Sequence, residues 1–264
     1  MRVASSLNQQ GFRATVDLLG EHVERTEQAH HAVDTYKALL ETIHRRGLDS
    51  TVSLKLTQFG LKLDFDECFL LVESLIQRAA ELNNFVRIDM EDSSCTTDTF
   101  EMFRRLHQKH SNVGVAIQAY LRRTADDISA LLELKPNIRL CKGVYVEPEE
   151  VAFRQMSRIN ENYLSILEQL LRAGCYVGIA THDEHIVKEA QRLIQELKLP
   201  TTSYEFQMLL GVSESLRNRI RRDGHPIRIY IPFGSEWYAY SVRRLRENPR
   251  IAGYVLKAML SAKL

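Results

Sequence analysis

Eight short runs of β-branched and apolar residues, each followed by a longer amphipathic stretch, leave few folds open to this chain. The runs are ATVDLL (14–19), TVSLKLTQ (51–58), FVRIDME (85–91), VGVAIQAY (113–120), IRLCKGVY (138–145), YVGIATH (176–182), TSYEFQML (202–209) and IRIYIPFG (227–234). Between them lie helical patterns such as HAVDTYKALLETIHRRG and DECFLLVESLIQRAAELN. In the second, Phe69, Val72, Leu75, Ile76 and Ala79 recur at helical spacing. Gly47, Gly114, Gly174 and Gly224 precede strands, where helix ends and turns favour glycine. Strands that alternate with helices form a parallel sheet, and eight of them close a barrel. The 264 residues suit such a barrel, which needs about 250. The competing pattern is an open, doubly wound sheet. The reading taken here is α/β, a single (β/α)8 TIM-type barrel over residues 1–264, with a last helix at 236–248 packed on the active face.

Composition removes several function classes. A net charge of +1 gives no nucleic-acid footprint and no polybasic membrane patch. No apolar run reaches the 18 or so residues of a membrane span, and the first residues lack a signal-peptide core. The expected location is therefore cytoplasmic, with at most peripheral contact at the inner face of a membrane. The four cysteines are scattered without a CxxC pair, so no zinc or disulfide framework is expected. GxGxxG and P-loop patterns are absent, which gives no support to a Rossmann dehydrogenase.

In a barrel of this kind the chemistry sits at the C-terminal ends of the strands. Polar residues gather there: Lys55, Asp89 with Glu91, Gln118, Lys142, Thr181 with His182, and Tyr230. Charges embedded in strands buried on both faces need partners. The densest signal follows the eighth run, in WYAYSVRRLRENP. Tyr240, Arg243, Arg244 and Glu247 fall at i, i+3, i+4 and i+7, on one helical face, while Trp237, Val242 and Leu245 take the other. Two adjacent guanidiniums offer forks that match a carboxylate. With a carboxylate nearby they suit a small zwitterion, an amino acid.

The run RIYIPFGSEWYAYSVRRLRE resembles the C-terminal signature of the proline dehydrogenase family, of the monofunctional bacterial type. LLGE (18–21), SLKLTQ (53–58), RIDMED (87–92), IQAY (117–120), RLCKGVY (139–145), ATHDEH (180–185) and YEFQMLLG (204–211) agree in order. The resemblance implies a barrel holding FAD and oxidising L-proline to Δ1-pyrroline-5-carboxylate by hydride transfer to flavin N5. It implies a quinone-type electron acceptor and a separate pyrroline-5-carboxylate dehydrogenase downstream. Lys55, Arg243 and Arg244 would hold the proline carboxylate. Tyr145, Leu209, Tyr230 and Tyr240 would wall the ring, with Asp89 as an orienting group. Glu247 would brace the Arg forks or face the substrate ammonium. Arg139 matches the arginine that contacts flavin N5. Met90, Gln118, Lys142, Gly143, Val144, Thr181 and His182 match positions along the flavin. Glu21 would pair with Arg243 and close the site.

Three other readings compete. Lys142 could be a Schiff-base lysine of an aldolase-like barrel. His182, Asp183 and His185 resemble loose metal ligands, although no His-x-His lies on the first strand and no metal is expected. A barrel that binds proline without turnover is the non-enzyme rival. The sequence departs from the family in one respect. Helices usually precede the first strand, whereas here only about ten residues do, so the expectation is either a lost N-terminal helical extension or one bare rim of the barrel.

Overall fold

The computed structural model describes residues 1–20 and 22–234. Eight parallel strands follow chain order and close into a barrel: β1 Arg13–Leu18, β2 Ser50–Leu54, β3 Val86–Ile88, β4 Val113–Gln118, β5 Asn137–Cys141, β6 Tyr176–Ala180, β7 Tyr204–Leu209 and β8 Ile227–Phe233. The helices are α1 Arg2–Gln9, α2 Thr26–Arg45, α3 Phe65–Glu81, α4 Thr96–His107, α5 Thr124–Ser129, α6 Met156–Arg172, α7 Glu184–Glu196 and α8 Glu214–Arg222. The eight expected strands are present in order, and the barrel replaces the open-sheet alternative. The helix expected at 236–248 lies outside the described residues.

Alternation along each strand separates an apolar face from a polar one. Two compact units share the strands. One holds Met1–Val115 and takes the chain back at Tyr230, and the other holds Ala116–Ile229. In the first unit Val52, Leu54, Val86 and Ile88 are fully buried. The residues between them place Asp17 beside Ser53, and Ser53 beside Arg87, on the opposite face. In the second, Ile138, Leu140, Val177 and Ile179 are equally buried. There the other face sets Arg139 beside Gly178, and Gly178 beside Glu205. A half-polar face inside a buried sheet is unusual for parallel strands, and its charged groups need partners there.

The strand ends are shorter than the apolar runs suggest. After Leu54 the backbone turns into a 3-10 segment, Leu56–Phe59, because the Thr57 N–H leaves the ladder for the Glu91 carboxylate. Lys55 therefore stands just past β2. Met90 and Glu91 stand past β3, and Lys142–Tyr145 lie in the loop after β5. Of the four glycines expected in turns, Gly47, Gly174 and Gly224 follow helices, whereas Gly114 is the second residue of β4. The residues ahead of β1, expected to leave a bare rim, form α1. Asn8 pins that helix to the lead-in of β2, accepting from the Asp49 N–H at 2.9 Å and donating to the Phe12 carbonyl at 2.9 Å.

Candidate active site

In the first unit, β1, β2, β3 and β8 bring four of the strand-end polar groups together. Lys55 donates to Asp17 across 2.7 Å, with both side chains buried. The Tyr230 hydroxyl donates to Asp89 at 3.0 Å. The Tyr36 hydroxyl, from α2, donates to the Ser53 carbonyl at 2.6 Å and accepts from the Leu18 N–H at 3.2 Å. Burial pushes the Asp17 carboxyl up, and the nearby Asp89 adds to this, while Lys55 opposes both. Three sequence candidates, Lys55, Asp89 and Tyr230, thus share one cluster. Its organiser, Asp17, was not among them. The signal that could have found it is the Asp in ATVDLL, a charge inside a buried strand that must have a partner. Glu91 has a different part, binding Thr57 and holding the turn after β2.

In the second unit the loops after β5 and β6 carry the other candidates. Lys142 donates to Asp183 at 2.6 Å, and Asp183 also caps α7 by accepting from the His185 and Ile186 N–H groups. Burial raises the Asp183 carboxyl, but Lys142 and those N–H groups outweigh it and hold the group low. Lys142 pairs with a carboxylate, whereas a Schiff-base lysine is activated by an apolar pocket or a neighbouring cation. Thr181 Oγ1 accepts from the Asp183 N–H at 3.1 Å. Gln118 is buried at the end of β4, Met90 is buried after β3 in the first unit, and Tyr145 and Val144 are half-buried after β5.

Gly143 has φ +111, a conformation L side chains rarely adopt, and a Cβ there would fall 2.1 Å from the Tyr120 ring. The backbone between Lys142 and Val144 therefore runs flat against an aromatic face. The cations Arg139, on β5, and Lys142, just past it, belong to the same unit.

His182 accepts from the Leu209 N–H through Nε2 at 2.9 Å, joining two further candidates. Burial lowers its pKa to about 4, so at neutral pH the ring is uncharged, as an accepting Nε2 requires. The folded value lies below the ordinary 6.5, so the unfolded chain binds the proton more readily between these limits. Stability from this group is complete above pH 6.5 and is lost as the pH falls through 4, by on the order of 3 kcal/mol. Urea titrations across that window should show a steeper acid loss for the native protein than for His182→Gln, whose amide oxygen can still accept. Parallel curves would show that His182 is not the titrating group.

Glu21, Tyr240, Arg243, Arg244 and Glu247 lie outside the described residues, as does the expected Glu21–Arg243 pair. No described helix is long and apolar enough to cross a membrane.

The sequence model of the proline dehydrogenase family matches residues 1–256. Proline dehydrogenase 2 of Bacillus subtilis is 38% identical over 253 residues, covering 96% of this chain and 84% of that protein. Proline dehydrogenase 1 of the same strain is 35% identical over 260 residues, covering 98% and 86%. Proline dehydrogenase of Deinococcus radiodurans is 34% identical over 265 residues, covering 98% and 86%. A solved structure of proline utilization A from Bdellovibrio bacteriovorus, inactivated by N-propargylglycine, matches with a TM-score of 0.87 at 24% identity. It covers 94% of this chain but 31% of that longer one, and the likeness is one of fold.

Proposed function

Because the chain belongs to the proline dehydrogenase family, we propose that it oxidises L-proline to Δ1-pyrroline-5-carboxylate with FAD as cofactor and a quinone-type acceptor. The observation that carries this reading is the family match across residues 1–256. Proline dehydrogenases are oxidoreductases that open proline catabolism, and the family is flavin-dependent in general. FAD, when bound, supplies the hydride acceptor.

The chain's own residues divide the remaining work. Lys55 donates to Asp17, which anchors its ammonium at the end of β2. In this reading the ammonium, anchored at that corner, joins Arg243 and Arg244 in holding the substrate carboxylate. Asp89 fixes the Tyr230 hydroxyl, so the phenol ring is held as a wall for the pyrrolidine, with Tyr145, Leu209 and Tyr240 as the others. Asp89 also lends negative charge that favours the substrate ammonium. Arg139, 6% exposed on β5, is the cation assigned to the flavin ring. A fixed positive charge there favours the electron-rich reduced state. Met90, Gln118, Lys142, Gly143, Val144, Thr181 and His182 would hold the rest of the cofactor, with Lys142 toward phosphate. Glu21 closes the site through Arg243, and Glu247 braces the guanidinium pair. The whole of 1–264 acts as one catalytic domain, working in the cytoplasm or at a membrane's inner face. A separate pyrroline-5-carboxylate dehydrogenase consumes the product.

Turnover with FAD, L-proline and a soluble quinone should yield a product lighter than proline by two hydrogens. Flavin-loaded protein that leaves proline unchanged would overturn the reading.

A further inference from the structure

Arg139 does not stand alone on its strand. Its Nε donates to Gln207 Oε1 at 2.6 Å, and Gln207 Nε2 donates to Glu205 Oε1 at 2.7 Å. Arg228 Nε donates to that same Glu205 oxygen at 2.6 Å. The chain of contacts runs from β8 through β7 to β5, among residues that are buried or nearly so.

An amide side chain can present either its oxygen or its NH2, and its neighbours decide which. Arg228 only donates, so the Glu205 Oε1 it shares with Gln207 is an acceptor toward both. Gln207 must therefore turn its NH2 toward Glu205 and its oxygen toward Arg139. A guanidinium is planar, so fixing its Nε corner fixes the plane in which Nη1 and Nη2 lie.

A second observation concerns the path. Gln207 on β7 reaches Arg139 on β5 by crossing β6 at Gly178, whose register partners are Arg139 and Glu205. A Cβ at Gly178 would come within 2.5 Å of Gln207 Nε2 and 2.8 Å of Cδ. The glycine leaves the lane that the amide occupies.

We propose that Gln207, held by Glu205 and Arg228 and admitted by Gly178, is a positioning residue that sets the plane of Arg139 toward the flavin. This rests on the assignment of Arg139 to the cofactor. Misplacement of a catalytic group by about 1 Å costs on the order of 100-fold.

The test uses FAD-loaded protein, stopped-flow reduction by proline, and the flavin reduction potential. Gln207→Leu should slow reduction by roughly 10- to 100-fold with proline affinity unchanged, and shift the potential negative, in the same direction as Arg139→Met. Adding Gln207→Leu to Arg139→Met should slow reduction no further. Gly178→Ala is the second variant. It keeps all four polar residues and displaces only the far end of the Gln207 side chain, so it should reproduce the effect with a near-native melting temperature. Equal slowing by Gln207→Leu in the native and Arg139→Met backgrounds overturns the proposal, as does an unchanged rate in both single variants. If Arg139→Met alone leaves rate and potential unaltered, the assignment of Arg139 to the flavin falls instead.

Discussion

Asp17→Leu is expected to destabilise the protein by about 3–5 kcal/mol, because it leaves the Lys55 ammonium buried without its carboxylate. Asp17 is fully buried, and Lys55 is 7% exposed at its side chain, so water cannot replace the lost partner. Lys55→Met should cost a similar amount, since it strands Asp17 beside Asp89, whose charge already raises it. In a chain of this size the loss corresponds to roughly 6–20 °C in melting temperature. The double variant Asp17→Leu/Lys55→Met removes both charges and should recover most of the stability, because a buried pair and its apolar replacement are close in energy. Thermal melts of the four proteins measure the coupling. If the double variant loses the sum of the two single losses, Asp17 and Lys55 act independently and the buried pair is not what holds this corner.

The larger functional effect is expected at Arg244. Helical spacing would put Arg244 on one face with Tyr240 and Glu247, and in the proposed reading its fork takes a substrate carboxylate oxygen. Hydrogen bonds to charged groups contribute roughly 1.5–3 kcal/mol, or about 10- to 150-fold in affinity. Arg244→Met should weaken proline by about that factor and leave the bound flavin spectrum unchanged. Prolinol, which lacks the carboxylate, should bind poorly to both proteins and respond far less to the substitution. Flavin-difference titrations of both proteins with both ligands provide the comparison. Equal losses for the two ligands would mean that Arg244 shapes the pocket in general and does not clamp the carboxylate.

Much of the fold is legible in the sequence because each strand is a run of residues with an apolar outer face. Val52 and Leu54, or Val177 and Ile179, announce a buried strand without any knowledge of its neighbours. Strand ends are less legible. The alternation continues through Lys55 and Asp89, past the last strand residues Leu54 and Ile88, and the Asp89 N–H still donates to the Leu54 carbonyl at 2.8 Å. The side-chain pattern therefore does not mark where the regular strand stops. Gly114 shows the converse, a residue that suggests a turn but lies within β4.

The candidate site divides along similar lines. Lys55, Asp89 and Tyr230 stand in recognisable runs, and the structure gathers them. Asp17 and the Arg228–Glu205–Gln207 series went unread because each residue acquires meaning only through a partner on another strand. Asp17 meets Lys55 across 38 positions of chain and Arg139 meets Gln207 across 68, and only the barrel register brings them together. The visible signal was partial, in that Glu205 and Gln207 alternate with Phe206 and Met208 in a buried strand. Alternation shows that such residues need partners; it does not say which.

In the proposed function this barrel removes a hydride from proline and delivers it to a flavin it holds itself. The most direct measurement is an anaerobic one: the protein is loaded with FAD, L-proline is added without any other acceptor, and visible absorbance is followed. The flavin band is expected to bleach, at a rate that saturates with proline and falls sharply in Arg139→Met. A flavin that stays oxidised under saturating proline, in protein shown to be folded and fully loaded, would contradict it.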